Sequence, residues 1–221
     1  MKLSDKTLSL LKNFAAINSN ILIVPGKKLT TWAVAKNVAA HVEVDEAFTT
    51  EFGIFNLSEF LGVLGLMQSP DITFTQNLAT IQENKNQIKY ASADKSILVY
   101  PDKKLVMPPA DVTVTITSAQ LTQILKAAAS LSVQDVAFVG DGKRVVIRVF
   151  DKKNTSSNSY TIDLDVETTQ TFAVYFKVEN FKQFPDDYEV SLCKKNISQF
   201  VGKTHKVTYF IAVEDGSSFS P

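Results

Sequence analysis

Side chains that could serve as nucleophiles, acid–base pairs or metal ligands are few and scattered in this sequence. His41 lies in a predicted strand and His205 in a predicted turn, and their spacing matches no metal-binding motif. Gly202-Lys203-Thr204 resembles the end of a phosphate-binding loop, but that loop needs a glycine where Ile197 stands. These residues therefore predict neither a metal site nor a nucleotide site.

The remaining candidates for chemistry are carboxylates and one thiol. Asp163 and Asp165 alternate along a predicted strand, and solvated acids are ordinary there. The same holds for Asp186 and Asp187, which occupy a predicted turn. Cys193 is the only cysteine, so the chain cannot close an internal disulfide, which suits a reducing compartment. We expect no catalytic residue, no metal and no cofactor, and hence a protein that is not an enzyme.

The composition is that of an ordinary globular protein. The chain is 45% hydrophobic and 21% charged, which is typical of a chain that folds around a core. Its length of 221 residues favours one or two domains. The 23 basic and 23 acidic residues balance, so the chain lacks the overall positive charge of a free nucleic-acid-binding protein, although basic residues can still gather on one surface. The longest uncharged stretches, 13–26 and 112–125, are shorter than the roughly 20 apolar residues of a membrane helix. The N-terminus has no unbroken apolar segment behind a basic one, which predicts a protein that is not secreted.

Hydrophobic periodicity predicts two similar amphipathic helices, at 4–18 and 118–131. The run LLKNFAAI in the first helix matches ILKAAASL in the second, and this match aligns Lys12 with Lys126. Such a match between distant segments indicates an internal duplication.

The rest of each half repeats the same order of elements. Short runs of β-branched and apolar residues between turns predict strands, including one at 97–99. The halves match again at the segments that begin with Phe55 and Phe176, which predict a second helix at 57–67 and a shortened one at 178–184. We therefore predict an α+β fold with two similar domains, each built from two βαβββ units.

A connector separates the two predicted domains. Residues 101–111 contain three prolines and no periodicity, which indicates a loop between a domain at 1–107 and a domain at 108–221. This connector also contains an apolar run, and we expect it at the surface because loops that connect domains rarely run through a core.

The two aligned lysines carry the strongest indication of function. Lys12 and Lys126 lie on polar helix faces whose other residues are mostly small and neutral, and Asp5 is the one acid among them. Such a face can lie beside phosphate groups without repulsion and without recognising a particular base. The helix predicted at 57–67 has Glu59 and no lysine opposite its apolar stripe, so we do not expect phosphate contact there.

The opening MKLSDKTLSLLKNFAAINS, the segment FNLSEFLGVLGL and the duplication resemble the sliding clamps of T-even-type bacteriophages, the processivity factors of their replicative DNA polymerases. The resemblance implies the DNA clamp fold in a head-to-tail homotrimeric ring, with the helices on its inner face around double-stranded DNA. It implies an ATP-driven clamp loader, the replicative polymerase and late-transcription factors as partners, no membrane contact, and action in the cytoplasm of the infected bacterial host.

Under this resemblance, the residues expected to contact DNA, without regard to its sequence, are Lys6, Lys12, Asn13, Lys126, Lys177 and Lys182. The apolar run of the connector either pins the connector to the domains or binds the hydrophobic tail of a partner; its residues are Leu105, Val106, Met107 and Pro108. A β-rich structural protein of a phage tail or baseplate, with no role in DNA binding, is the alternative. Lysines at matched helix positions favour the clamp.

Overall fold

A computed structural model gives the fold of residues 1–103, 105–154 and 156–220. Contacts within the chain divide it into two units, which we call unit 1 (Met1–Lys104) and unit 2 (Leu105–Pro221). No helix in the described part of the chain is both long enough and apolar enough to cross a lipid bilayer.

Unit 1 combines two helices with short antiparallel strands in its described residues. In chain order its elements are α1 (Asp5–Ile17), β1 (Ile21–Ile23), β2 (Gly26–Trp32), β3 (Val38–Phe48), β4 (Phe52–Ile54), α2 (Leu57–Leu64), β5 (Asp71–Phe74), β6 (Leu78–Glu83) and β7 (Asn86–Ala91), followed by a 3-10 turn, Lys95–Ile97. Strand β1 pairs with β4, β2 pairs with β3, and β5, β6 and β7 form a three-stranded sheet in that order.

The two helices of unit 1 begin at side-chain caps. The hydroxyl of Ser4 accepts the N–H of Thr7 before α1, and the amide oxygen of Asn56 accepts the N–H of Glu59 before α2. One face of α1 is then buried in the core, where Phe14 and its apolar neighbours are fully covered. The opposite face of α1 is left in solvent, as the periodicity predicts.

Unit 2 repeats this plan with larger sheets. Its elements are β8 (Val112–Ile116), α3 (Ser118–Leu131), β9 (Asp135–Asp141), β10 (Arg144–Phe150), β11 (Tyr160–Glu167), β12 (Thr171–Lys177), a 3-10 turn (Val178–Asn180), β13 (Tyr188–Cys193), β14 (Ile197–Gly202), β15 (Thr208–Ala212) and β16 (Ser218–Ser220). One sheet has the order β11-β10-β9-β12-β16, and β8, β13, β14 and β15 are neighbours in another. Edge-to-face ring contacts with centroids 5.6 to 6.3 Å apart fill the core between the sheets; the rings are Phe138, Phe176, Phe181 and Phe200.

The prediction of a helix at 178–184 is wrong, because the chain forms only the 3-10 turn Val178–Asn180 there. Lys177 stands at the cap position and has no acceptor to offer a helix N–H, whereas the matching residue of unit 1 is the capping Asn56. Pro185 also disfavours helical backbone in the residue before it. A short apolar segment without a cap and with a proline at its end does not form a helix.

The strand predicted at 97–99 is wrong as well. The carboxylate of Asp94 accepts the N–H of Ser96 and starts the 3-10 turn Lys95–Ile97 in its place. The helix predicted to reach about Met67 ends at Leu64, and the strand β16 was not predicted. The apolar run at 97–99 was too short to distinguish a strand from a turn.

Candidate DNA interface and partner surface

The solvent face of α1 carries one well-placed lysine. Lys12 is exposed, and its neighbours one turn away on this face, Ser9 and Ala16, are exposed and uncharged. Asn13 lies beside it and is half-buried. A phosphate group could therefore approach Lys12 without meeting a carboxylate of the same helix turn.

The N-terminal end of α1 is less basic than its middle. Lys6 is exposed there, but Asp5 precedes it, and Glu46 of β3 accepts hydrogen bonds from the Ser4 N–H and the Thr7 hydroxyl, both at 2.6 Å. Burial alone would raise the pKa of Glu46, but these hydrogen bonds outweigh burial and hold the pKa below its ordinary value. Two acidic side chains, Asp5 and Glu46, thus lie at the first turn of α1, so Lys6 contributes less positive potential than Lys12.

The solvent face of α3 repeats the arrangement around Lys12. Lys126 is exposed in the middle of the helix, between the exposed and uncharged Thr122 and Ser130. The side chain of Thr117 caps α3 together with Gln120, and the first turn of the helix contains no acidic residue. The matched lysines of α1 and α3 therefore share position, exposure and uncharged surroundings.

The other two lysines that were expected to contact DNA, Lys177 and Lys182, do not lie on a helix. The ammonium of Lys177 bonds the carboxylate of Asp135, which is 4% exposed, at 2.5 Å. This hydrogen bond raises the pKa of Lys177, with burial opposing it and the negative charge of Asp135 adding to it. Lys182 is exposed just beyond the 3-10 turn. The charge of Lys177 is thus already neutralised by a buried partner.

The connector exposes one of the four side chains in its apolar run. In the part of the connector that the structure describes, residues 98–103 and 105–110 belong to no helix or strand. Val106 is 72% exposed, whereas Leu105, Met107 and Pro108 are half-buried. Of the four residues in the apolar run, Val106 is therefore the most accessible to another molecule.

The segment that resembles a phosphate-binding loop has another structural role. The N–H groups of Thr204 and His205 donate to the buried carboxylate of Asp186, at 3.0 and 2.7 Å. Burial would raise the pKa of Asp186, but these hydrogen bonds outweigh it and lower the pKa. Because the amides already have this partner, they cannot bind a phosphate group. Residues 1–103, 105–154 and 156–220 contain no group of three or more histidine, cysteine or acidic side chains placed to hold a metal.

Two strand edges of opposite charge were not predicted from the sequence. Within the described residues, β7 pairs only with β6, and β11 pairs only with β10. The edge at β7 carries the exposed Lys89, and the exposed Lys85 lies in the turn just before this strand. The edge at β11 presents exposed acids, namely Asp163, Asp165 and Glu167, of which Asp163 bonds Arg144 at 2.8 Å. The sequence shows the alternating acids of β11, but it does not show which strands lie at the edges of a sheet.

Comparison with known families divides the chain in the same manner. Residues 2–106 match the family described as DNA polymerase processivity factor, and residues 113–215 match the family described as gp45 sliding clamp, C terminal.

Full-length relatives and solved structures agree with these matches. The sliding clamp of Escherichia phage RB69 is 30% identical over 99% of both chains, and that of Enterobacteria phage T4 is 29% identical over 99% of both chains. Among solved structures, the A. fulgidus PCNA with the C-terminal region of FEN-1 bound superimposes with a TM-score of 0.68 at 14% identity, over 96% of both chains. The predicted α+β clamp fold and the resemblance are thus confirmed. The chain belongs to the phage sliding clamps, the processivity factors of phage DNA polymerases.

Proposed function

We propose that three copies of this chain form a closed head-to-tail ring around duplex DNA, and that the solvent faces of α1 and α3 line its hole. The observation that carries this proposal is the match between Lys12 and Lys126, which are exposed at the same position of two repeated helices among uncharged residues. Phosphate contacts made in this way do not depend on base sequence.

The balanced charge of the chain supports sliding rather than tight binding. A closed ring stays on DNA by topology, so its contacts with phosphate need only prevent repulsion. A chain with 23 basic and 23 acidic residues that concentrates a few lysines on two helices meets this requirement. The same ring takes part in no bond-making step, so it needs no catalytic residue or cofactor.

The charged strand edges support head-to-tail assembly. A ring of identical copies needs a heterologous contact, in which one surface of each copy meets a different surface of the next. The basic edge at β7 and the acidic edge at β11 are two such surfaces, and their opposite charges favour contact with each other over contact between like edges. We propose that these edges meet between neighbouring copies.

The connector supports a role in tethering partners. We propose that Leu105, Val106, Met107 and Pro108 bind the hydrophobic tail of the replicative polymerase, and that late-transcription factors use the same surface. The A. fulgidus PCNA, which has the same fold, was solved with the C-terminal region of FEN-1 bound. A clamp loader would open and close the ring in the infected bacterial cell.

Site-directed crosslinking tests which face meets DNA. Ala16 and Ser130 are exposed on the solvent faces of α1 and α3, and the native Cys193 is 2% exposed, so a cysteine introduced at either position is the reactive thiol. A circular duplex with thiol-reactive groups on its phosphates should crosslink to Ala16→Cys and Ser130→Cys after loading. Lys153→Cys, exposed in the loop after β10, is the control and should not react. Equal crosslinking at all three positions would contradict the proposal.

A further inference from the structure

Two buried asparagine side chains hold the backbone of Val99 in unit 1. The Val99 N–H donates to Oδ1 of Asn20 at 2.9 Å, and the Val99 carbonyl accepts from Nδ2 of Asn18 at 2.9 Å. Asn18 and Asn20 are 3% and 7% exposed. These two residues, which we call the asparagine pair, therefore satisfy both backbone groups of Val99, as a neighbouring strand would.

The asparagine pair is itself fixed in place. Nδ2 of Asn18 also donates to the carbonyl of Trp32 at 2.9 Å, and Oδ1 of Asn18 accepts the N–H of Asn20 at 3.1 Å. The backbone N–H of Asn18 donates to Phe14 and ends α1. Buried amides with several satisfied hydrogen bonds hold one geometry, since any displacement leaves polar atoms without partners. Val99 is thus tied directly to the C-terminal end of α1.

The matching positions of unit 2 lack this arrangement. The repeat aligns Asn18 and Asn20 with Ser132 and Gln134, which are both exposed. Gln134 uses its backbone carbonyl to accept the N–H of Val178 in the following 3-10 turn. The asparagine pair is therefore specific to the unit that leads into the connector.

We propose that Asn18 and Asn20 are positioning residues for partner binding by the connector. This inference rests on the proposed role of the connector. Beyond Val99, the described residues 100–103 and 105–110 have no regular structure until Asp111, whose N–H donates to Leu192 at 2.9 Å. The apolar residues thus lie between two anchor points, and the asparagine pair is the first. Fixing that end reduces the conformational freedom that the connector loses when a tail binds.

Replacement of Asn20 tests the inference. Asn20→Leu removes the acceptor of the Val99 N–H and should speed amide hydrogen exchange at Val99 by at least tenfold. It should also weaken binding of a polymerase C-terminal peptide, measured by fluorescence anisotropy, about fivefold, with the trimer retained in sedimentation. Asn20→Asp keeps an acceptor oxygen and should restore much of both properties.

Two control variants separate positioning from general stability. Gln134→Leu replaces the exposed polar residue at the matched position of unit 2 and should change neither readout. Leu22→Ala creates a cavity at a buried position close to Asn20 in the sequence and should lower stability without weakening peptide binding. Faster exchange at Val99 with unchanged peptide affinity would overturn the inference, as would an equal loss of affinity in Leu22→Ala. If Leu105→Ala with Met107→Ala leaves affinity unchanged, the connector is not the partner surface and both proposals fall; if only Asn20→Leu is silent, this inference alone falls.

Discussion

Removal of the two matched lysines should make the affinity for duplex DNA less dependent on salt concentration. In Lys12→Ala with Lys126→Ala, each chain loses two exposed ammonium groups from the middle of α1 and α3. The logarithm of the affinity for duplex DNA falls with the logarithm of salt concentration, with a slope of about 0.9 per phosphate contact. If two of the lysines in the ring touch phosphate at one time, the slope should become smaller by about 1.8. A fourfold rise in salt would then weaken wild type about 12-fold more than the variant.

Anisotropy of a short labelled duplex, titrated at several salt concentrations, measures this slope. The variant should fold normally, because exposed substitutions usually change stability by less than about 0.5 kcal/mol and alanine favours helices. Lys153→Ala with Lys195→Ala removes the same charge from exposed loop positions and should keep the wild-type slope. An unchanged slope in the helix variant, or an equal change in the control, would refute the assignment of α1 and α3 to DNA.

Three further outcomes follow from the structure. Lys89→Glu should turn trimers into monomers in sedimentation by placing an acid at the β7 edge, and Glu167→Lys should restore trimers in the double variant; monomers in both, or trimers in both, would contradict pairing of these edges. Asp186→Asn should lower the free energy of unfolding by about 2 to 3 kcal/mol in urea at pH 7. One carboxylate oxygen accepts the N–H groups of Thr204 and His205 and the other accepts the N–H of Asp187, whereas asparagine has only one acceptor oxygen. Because the pKa of Asp186 is lowered in the fold, its contribution is present above the unfolded pKa and lost as pH falls through the folded pKa, so wild type and variant should converge in acid. Leu105→Ala with Met107→Ala should weaken binding of a polymerase C-terminal peptide more than tenfold, about 1.4 kcal/mol, with a nearly unchanged melting temperature. Equal losses of peptide affinity and of stability would indicate that these residues pin the connector to the domains instead.

The helices that carry the candidate interface could be predicted because local features determine them. A hydroxyl cap, one turn of good helix formers and a 3.6-residue apolar period all coincide in α1 and α3. At 178–184 the apolar period was present without a cap, and the helix did not form. Periodicity alone therefore indicated where a segment is buried but not whether its first turn could close.

Contacts between distant residues could not be predicted from local sequence. The exposure of Lys12 and Lys126 follows from their own helices, so their placement was predictable. The partner of Lys177 is Asp135 on another strand, and no pattern in the sequence joins the two. The bonds from Asn18 and Asn20 to Val99 likewise span most of unit 1, so they emerge only when the chain has folded.

Retention on closed DNA tests whether the protein encircles the duplex. The purified protein, a clamp loader and ATP are incubated with nicked circular duplex, and bound protein is separated from free protein by gel filtration at 200 mM salt. We expect the protein to remain on the circle, to be released when the circle is cut once, and to be retained on linear DNA whose ends are blocked. Loss from the uncut circle, or equal retention on cut and uncut DNA, would contradict a ring that encircles the duplex.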